Sequence, residues 1–361
     1  MVTILARRLG SQAGWLAVAV LIMVALAAVD VSLPRNANIS GALVLTPVLA
    51  SAGARPRSVI AIGAVAVTVA VALADSDGSG LHASVARIMV IVVGTIVAGQ
   101  AARLRIRREQ RLVDLTGIAV AAQRAIIRQP PAKVGNVAIA AWYQSSVRAA
   151  TVGGDCYEAL DTSFGTRLMI GDVRGHGLPS VRLAALVLGA FRALAHIEAD
   201  LAVVAHELDM LTSRYACDPD NIDIDGEEFV AAVLCQVNDS TLTVANCGHP
   251  PPLLIATTGE VRTLHAAVPA LPLGVGSQPG LESVPLERGV RVLIYTDGLI
   301  EARDQDGQFF DLDTAAVALS SGPLSQGLAD IMALLNTHAN GEIGDDVALL
   351  AFEPAANPNP T

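Results

Sequence analysis

Five aspartates stand where short apolar runs meet glycine. Asp155 follows Gly153-Gly154, and Asp172 follows the run 168–170 and Gly171, leading into Val173-Arg174-Gly175-His176-Gly177. Asp297 closes the β-rich run 290–296 and precedes Gly298; Asp345 and Asp346 follow Gly344 and open the apolar run 347–352. An apolar run, a glycine turn and then a helical pattern, as around Asp172, read as strand, tight turn and helix. The other acids also lie at strand edges. Glycine lets the backbone come close to whatever the acid holds, which makes the Val173 carbonyl a candidate oxygen beside Asp172. Carboxylates and carbonyls are what hard divalent cations such as Mn²⁺ and Mg²⁺ take, with water filling the shell. The Asp172 turn is not a phosphate-cradling nucleotide loop, because no Lys-Ser or Lys-Thr follows, and its glycine spacing is not that of a dinucleotide fingerprint.

Positioning such acids takes strands. Residues 136–143, 156–160, 167–173, 228–237, 241–247, 253–256, 290–296 and 347–352 read as strands, and 178–196, 201–215, 312–319 and 324–338 as helices. The strands come in groups rather than alternating singly with helices, so the expected class is α+β with antiparallel sheets. The stretch 354–361, rich in Pro and Asn, is expected to be a disordered tail.

The front of the chain differs in kind. The chain is 52% hydrophobic and 16% charged, and the apolar excess is concentrated in 15–29, 39–54, 58–74 and 88–102. Each stretch approaches the roughly 20 residues of a membrane helix, the short ones needing tilt, flanking residues or a re-entrant path. Arg7 and Arg8 precede the first stretch, Arg55 and Arg57 lie between the second and third, and Arg103, Arg105, Arg107 and Arg108 follow the fourth. The positive-inside rule then gives four crossings, with both termini and the following domain in the cytoplasm of a multi-pass cell-membrane protein. From Arg103 the composition turns to mixed charge on a helical pattern that ends at Gln129-Pro130-Pro131. This reads either as a plain linker helix or as a helix that pairs two protomers and carries state from the membrane. The expected boundaries are 1–102 for the membrane region, 103–132 for the linker, 133–353 for one domain and 354–361 for the tail.

In order along the chain, Gly153-Gly154-Asp155, Gly171-Asp172-Val173-Arg174-Gly175-His176-Gly177, Asn246-Cys247-Gly248-His249-Pro250-Pro251, Tyr295-Thr296-Asp297-Gly298 and Gly344-Asp345-Asp346 resemble the bacterial metal-dependent protein phosphatases. These are the PPM or type 2C enzymes, in their SpoIIE-like branch, and the resemblance covers about 133–352. It implies a β-sandwich flanked by helices, here preceded by an all-α membrane domain of four helices. It also implies two Mn²⁺ or Mg²⁺ ions. Asp172 would bridge them, Asp155 and Asp297 would hold one side each, the Val173 carbonyl would be a further ligand, and Asp345, in preference to Asp346, would complete the set. Such ions bind a water, lower its pKa and orient it for in-line attack on a phosphomonoester, with no protein nucleophile. The implied substrate is phosphoserine or phosphothreonine on a regulatory protein, such as an anti-anti-sigma factor, and the resemblance favours the signalling, dimer-forming use of the linker helix.

One position departs from the pattern. Animal-type members carry a His two places after the bridging Asp, where this chain has Arg174, so the leaving-group proton has no assigned donor and Arg174 becomes a candidate phosphate contact. His249 reads as ordering its loop. Cys156, Cys217, Cys235 and Cys247 show no paired ligand spacing and read as reduced thiols, chiefly buried filler. A net charge of -10 argues against a general nucleic-acid surface. The acidic run 218–228 reads as a solvated loop rather than a Ca²⁺ loop. The alternative function is a phosphatase-like membrane receptor that binds a regulatory partner without turnover.

Overall fold

The computed structural model describes residues 12–32, 39–77, 81–145, 153–175, 177–218, 228–266, 268–341 and 343–355. His176, most of the acidic run and the tail beyond Ala355 lie outside them. The chain divides into two compact units, Met1–Asp114 and Leu115–Thr361.

The first unit contains α1 (Gln12–Ser32), a 3-10 turn (Ser40–Val44) that runs into α2 (Leu45–Ser51), α3 (Pro56–Asp77) and the start of α4 (Leu81–Ile126). By length and composition α1, α3 and α4 are apolar enough to cross a membrane, whereas Ser40–Ser51 is shorter. The short segment nevertheless runs from one end of the bundle to the other. At one end Ile39 N donates to Asp30 Oδ1 at 2.7 Å and Arg87 Nη1 donates to Ser40 Oγ at 2.8 Å. At the other, Gln12 Nε2 donates to Ser58 Oγ at 3.2 Å and Arg105 Nη2 donates to Ala54 O at 3.0 Å. Small residues bring the helices together. A Cβ on Gly53 would lie 1.9 Å from Trp15, and one on Gly63 would lie 2.2 Å from Thr95. Four apolar segments are therefore present, the second more compact than its sequence implies. The fourth apolar stretch and the mixed-charge stretch from Arg103 lie on one helix, since α4 continues to Ile126 and stops four residues before Pro130.

The second unit is a sandwich of two antiparallel sheets. Its elements are β1 (Lys133–Val134), β2 (Val137–Gln144), β3 (Cys156–Thr162), β4 (Gly165–Val173), α5 (Leu178–Ile197), α6 (Leu201–Ala216), β5 (Val230–Asn238), β6 (Thr241–Cys247), β7 (Leu253–Ile255), β8 (Val261–Thr263), β9 (Leu281–Pro285), β10 (Arg291–Tyr295), α7 (Asp297–Ile300), α8 (Leu312–Leu319), α9 (Leu324–His338) and β11 (Val347–Pro354). One sheet has the order β1-β2-β11-β10-β7-β8, the other β3-β4-β5-β6-β9. Ile139, Leu350, Phe352 and Ile294 from the first meet Tyr157, Leu168, Ile170 and Val233 from the second in the inter-sheet core. On its outer face the first sheet packs Leu293, Leu349 and Ala351 against Leu319, Leu328 and Ile331 of α8 and α9. The second packs Met169, Leu234 and Ala245 against Leu188, Phe191 and Leu208 of α5 and α6. Inner strands such as β11 are thus covered on both faces, which is why 347–352 is an unbroken apolar run.

The helices and inner strands fall within a few residues of their expected places. The sequence reading missed β1, β8 and β9, which are two, three and five residues long and lie at sheet edges. Short, partly exposed edge strands carry no apolar run to mark them. Pro354, assigned to the tail, is the last residue of β11, and Ala355 N just beyond it donates to Asn136 O at 2.7 Å.

Arg167 ties the second sheet to its helices. It is fully buried on β4, and its guanidinium donates to Gln236 Oε1 and to the carbonyls of Ala195, Glu198 and Ala199, where α5 ends and the chain turns into α6. Burial lowers its pKa. We expect Arg167→Met, which strands those carbonyls, to lower stability by about 2–4 kcal/mol. Urea unfolding of the detergent-solubilised chain, followed by tryptophan fluorescence, measures this.

Candidate metal centre

Strand register brings the acids to one end of the sandwich. Cys156 pairs with Gly171, so Asp155, just before β3, stands across from Asp172 near the end of β4. In the other sheet Tyr295 pairs with Leu349 and Val347 with Gln144, which places Asp297, Asp345 and Asp346 beside the end of β2. Thr296 stitches the two sheets together. Its hydroxyl donates to Asp155 Oδ2 at 2.8 Å and accepts from Ala348 N at 2.9 Å.

Two glycines make the approach possible. A Cβ on Gly154 would lie 2.3 Å from the Val173 carbonyl oxygen, and one on Gly153 would lie 1.8 Å from Asp346 Oδ2. The Gly153-Gly154 segment therefore passes directly against both groups, and no side chain fits at either position. After Val173 the backbone turns through Gly175 and Gly177, both at positive φ, before α5 begins.

The side chains are not equally placed. Asp155 and Asp346 are buried, Asp172 and Asp297 half-buried, and Asp345 exposed. Asp346 accepts from Tyr143 Oη at 2.5 Å and Ser145 Oγ at 3.2 Å, while its own N–H donates to Asp345 Oδ1 at 2.8 Å. Asp345 lines a cleft of about 540 Å³ together with Glu301, Arg303 and Asp304. Among the described residues, no three or more His, Cys, Asp or Glu side chains are gathered at metal-ligand spacing. The strand ends that carry these acids come together, whereas several of the carboxylate oxygens are turned toward Thr296, Tyr143, Ser145 and a backbone amide.

Electrostatics show what this cluster lacks. Burial, and after it Asp172, raises Asp155 well above the usual carboxylate range. Asp172 is pushed up to about 7 by burial and then by Asp297 and Asp345, acids of the opposite sheet. Asp297 is raised by burial, Asp345 and Glu301. No cationic side chain figures among these causes. An all-oxygen donor set that holds protons this tightly suits a hard divalent cation.

The other candidates separate cleanly. His249 is buried, its Nδ1 faces Pro250 O at 3.1 Å, and its backbone N–H and carbonyl both bond Asn246, so it orders the Gly248-Pro250 loop as expected. Burial lowers its pKa to about 4, which leaves the imidazole neutral. Arg174 is exposed, with its guanidinium 5.2 Å from the Phe229 ring. Cys156, Cys235 and Cys247 are buried free thiols and Cys217 is exposed. Tyr143, Ser145 and Gln123, which contact the acids or their supports, escaped sequence reading. Only Thr296, adjacent to Asp297, lay inside a noted motif.

Two sheets stacked face to face, helices on both outer faces and an acid cluster at the shared end define a PPM-type, or PP2C, phosphatase domain. The family model for Stage II sporulation protein E (SpoIIE) matches residues 162–354, and the chain belongs to that family. The RsbU and RsbW domains of Rv1364c from Mycobacterium tuberculosis are 27% identical, with a TM-score of 0.54 over 66% of this chain and 64% of that one. This chain thus spans less than two thirds of that protein. The SiaA PP2C domain of Pseudomonas aeruginosa is 22% identical, with a TM-score of 0.53 over 70% of this chain and 98% of the other. The PP2C domain and regulatory fragment of Bacillus subtilis SpoIIE shares 17% identity, with a TM-score of 0.51 over 62% and 64%. These last two show the same fold.

Asp172 binds its proton more tightly folded than unfolded, so its contribution to stability is full below about pH 4 and is lost as pH rises through about 7. In chelator we expect the melting temperature to fall between pH 5 and pH 8. Added Mn²⁺ should raise it most at pH 8, where the acids are free to bind. A series of thermal melts with and without Mn²⁺ checks both.

Proposed function

We propose that this is a membrane-anchored, Mn²⁺- or Mg²⁺-dependent protein phosphatase that hydrolyses phosphoserine or phosphothreonine on a regulatory protein. The observation that carries this reading is the shared field of Asp155 and Asp172 from one sheet with Asp297 and Asp345 from the other. When bound there, two divalent ions supply an acidified water as nucleophile and positive charge for the phosphoryl oxygens.

The chain's own residues hold and aim. Asp172, whose carboxyl is raised by acids of the opposite sheet and stands beside Asp155 of its own, would be the bridging ligand that the family resemblance implies. Asp155, oriented by Thr296, and Asp297 hold one side each; Asp345, exposed to the cleft, completes the set, and the Val173 carbonyl is the neutral ligand. Asp346 is the weaker candidate, since its oxygens already accept from Tyr143 and Ser145. Arg174, exposed just past the Asp172 turn, is the candidate phosphate contact.

Residues 1–102 are the proposed membrane region, 103–132 the linker and 133–353 the phosphatase domain. The end-to-end path of all four apolar segments supports an even number of crossings, and Arg55, Arg57 and the basic run from Arg103 support a cytoplasmic side for the phosphatase. A regulatory protein as substrate, of the anti-anti-sigma kind, is supported by the relative that carries an RsbU domain beside an RsbW domain. The linker helix is the proposed pairing surface of a homodimer.

The full chain in detergent should release phosphate from a phosphoserine protein and from an aryl phosphate with Mn²⁺ but not with chelator. Asp172→Ala should lower kcat/KM by at least about 10³-fold. Mn²⁺ binding without any turnover would instead mark a partner-binding receptor. In inside-out vesicles, added protease should remove the domain after Arg103, whereas sealed right-side-out cells should protect it.

A further inference from the structure

Tyr143 closes β2, and its hydroxyl lies between two partners. Gln123 Nε2 donates to Tyr143 Oη at 2.8 Å, and Tyr143 Oη donates to Asp346 Oδ2 at 2.5 Å. A phenol oxygen that accepts the amide N–H has its own proton directed at the carboxylate, so Gln123 sets the polarity of the pair. The same Nε2 also donates to Gly153 O at 3.0 Å, fixing the segment just ahead of Asp155. Gln123 lies near the end of α4 and is 5% exposed, so these bonds are made out of competition with bulk water.

Asp346 passes the constraint on. Ser145 Oγ donates to its second oxygen at 3.2 Å, Gly153 leaves no room for it to shift, and the Asp346 N–H holds Asp345 Oδ1 at 2.8 Å. Gly298 closes the other side, because a Cβ there would lie 2.0 Å from the Asp346 carbonyl oxygen. The turn is thus clamped through the Asp346 side chain, and its backbone amide in turn orients Asp345.

We propose that Tyr143 is a positioning residue for the metal centre: by anchoring Asp346 it fixes the turn whose amide aims the Asp345 carboxylate at the other acids. Asp346 then serves as the anchor and Asp345 as the ligand. This rests on the metal reading above. Partners that orient first-shell ligands typically govern affinity by about 10–100-fold, so the effect belongs in Mn²⁺ binding before it appears in turnover.

The test titrates Mn²⁺ into the full chain in detergent by calorimetry, for the wild type, Tyr143→Phe and Ser145→Ala. Tyr143→Phe should bind Mn²⁺ about tenfold more weakly, and Ser145→Ala should shift in the same direction by a smaller factor. At limiting Mn²⁺ the aryl phosphatase rate of Tyr143→Phe should fall in proportion. Saturating Mn²⁺ should restore it to within about twofold, with KM unchanged. If Tyr143→Phe shows no melting transition in chelator, Ser145→Ala carries the comparison. Wild-type Mn²⁺ affinity in the folded variants overturns the proposal, as does a lowered melting temperature with affinity intact, since that marks a bond that only stabilises. A wild-type chain that binds no Mn²⁺ overturns the metal reading and this inference with it.

Discussion

Like charges gathered in one place are the constraint on which this domain turns. Two unit charges about 4 Å apart at an effective dielectric near 20 repel by roughly 4 kcal/mol, whereas an ordinary hydrogen bond contributes about 1 kcal/mol. The bonds from Thr296, Tyr143 and Ser145 can therefore orient Asp155 and Asp346, but they cannot neutralise the cluster. That leaves protons or a cation, and the raised proton affinities of Asp155, Asp172 and Asp297 record the first alternative. What the sandwich adds is that the acids come from two sheets and cannot relax apart without separating them.

How much of this is readable from sequence depends on where a residue's signal comes from. Asp172 and Asp297 declare themselves because an apolar run stops and glycine follows, a local pattern. The inner strands are equally plain, since burial on both faces demands continuous apolar residues, as in 347–352. Tyr143 and Gln123 give no such sign. Each is one polar residue in an ordinary strand or helix, and its partner lies 203 positions away for Tyr143 and 30 for the Gln123 contact with Gly153. The distinction between Asp345 and Asp346 is of the same kind: adjacent and chemically identical, they differ because one faces a cleft and the other faces β2.

The apolar first unit is a contrasting case. Its apolar stretches are obvious by composition, and the helical pattern from Arg103 to Gln129 is legible too, because a change from apolar to mixed charge alters a helix's surroundings without interrupting its hydrogen bonds. Gly63, however, carries no sign in the sequence that its missing Cβ makes room for Thr95 of α4.

The position of β11 has a consequence in time. It is the last strand of the domain in chain order, yet it lies inside its sheet, between β2 and β10. At a synthesis rate of about 5–20 residues per second, the roughly 200 residues that separate Gln144 from Val347 take about 10–40 s to emerge. Throughout that interval β2 lacks the neighbour it has in β11, β10 emerges late in it and finds β11 still missing, and Asp345 and Asp346 come only at its end. The apolar helices at the front of the chain are therefore complete while the acid cluster is still open on one side, and the cluster closes only when the last strand of the domain has been made.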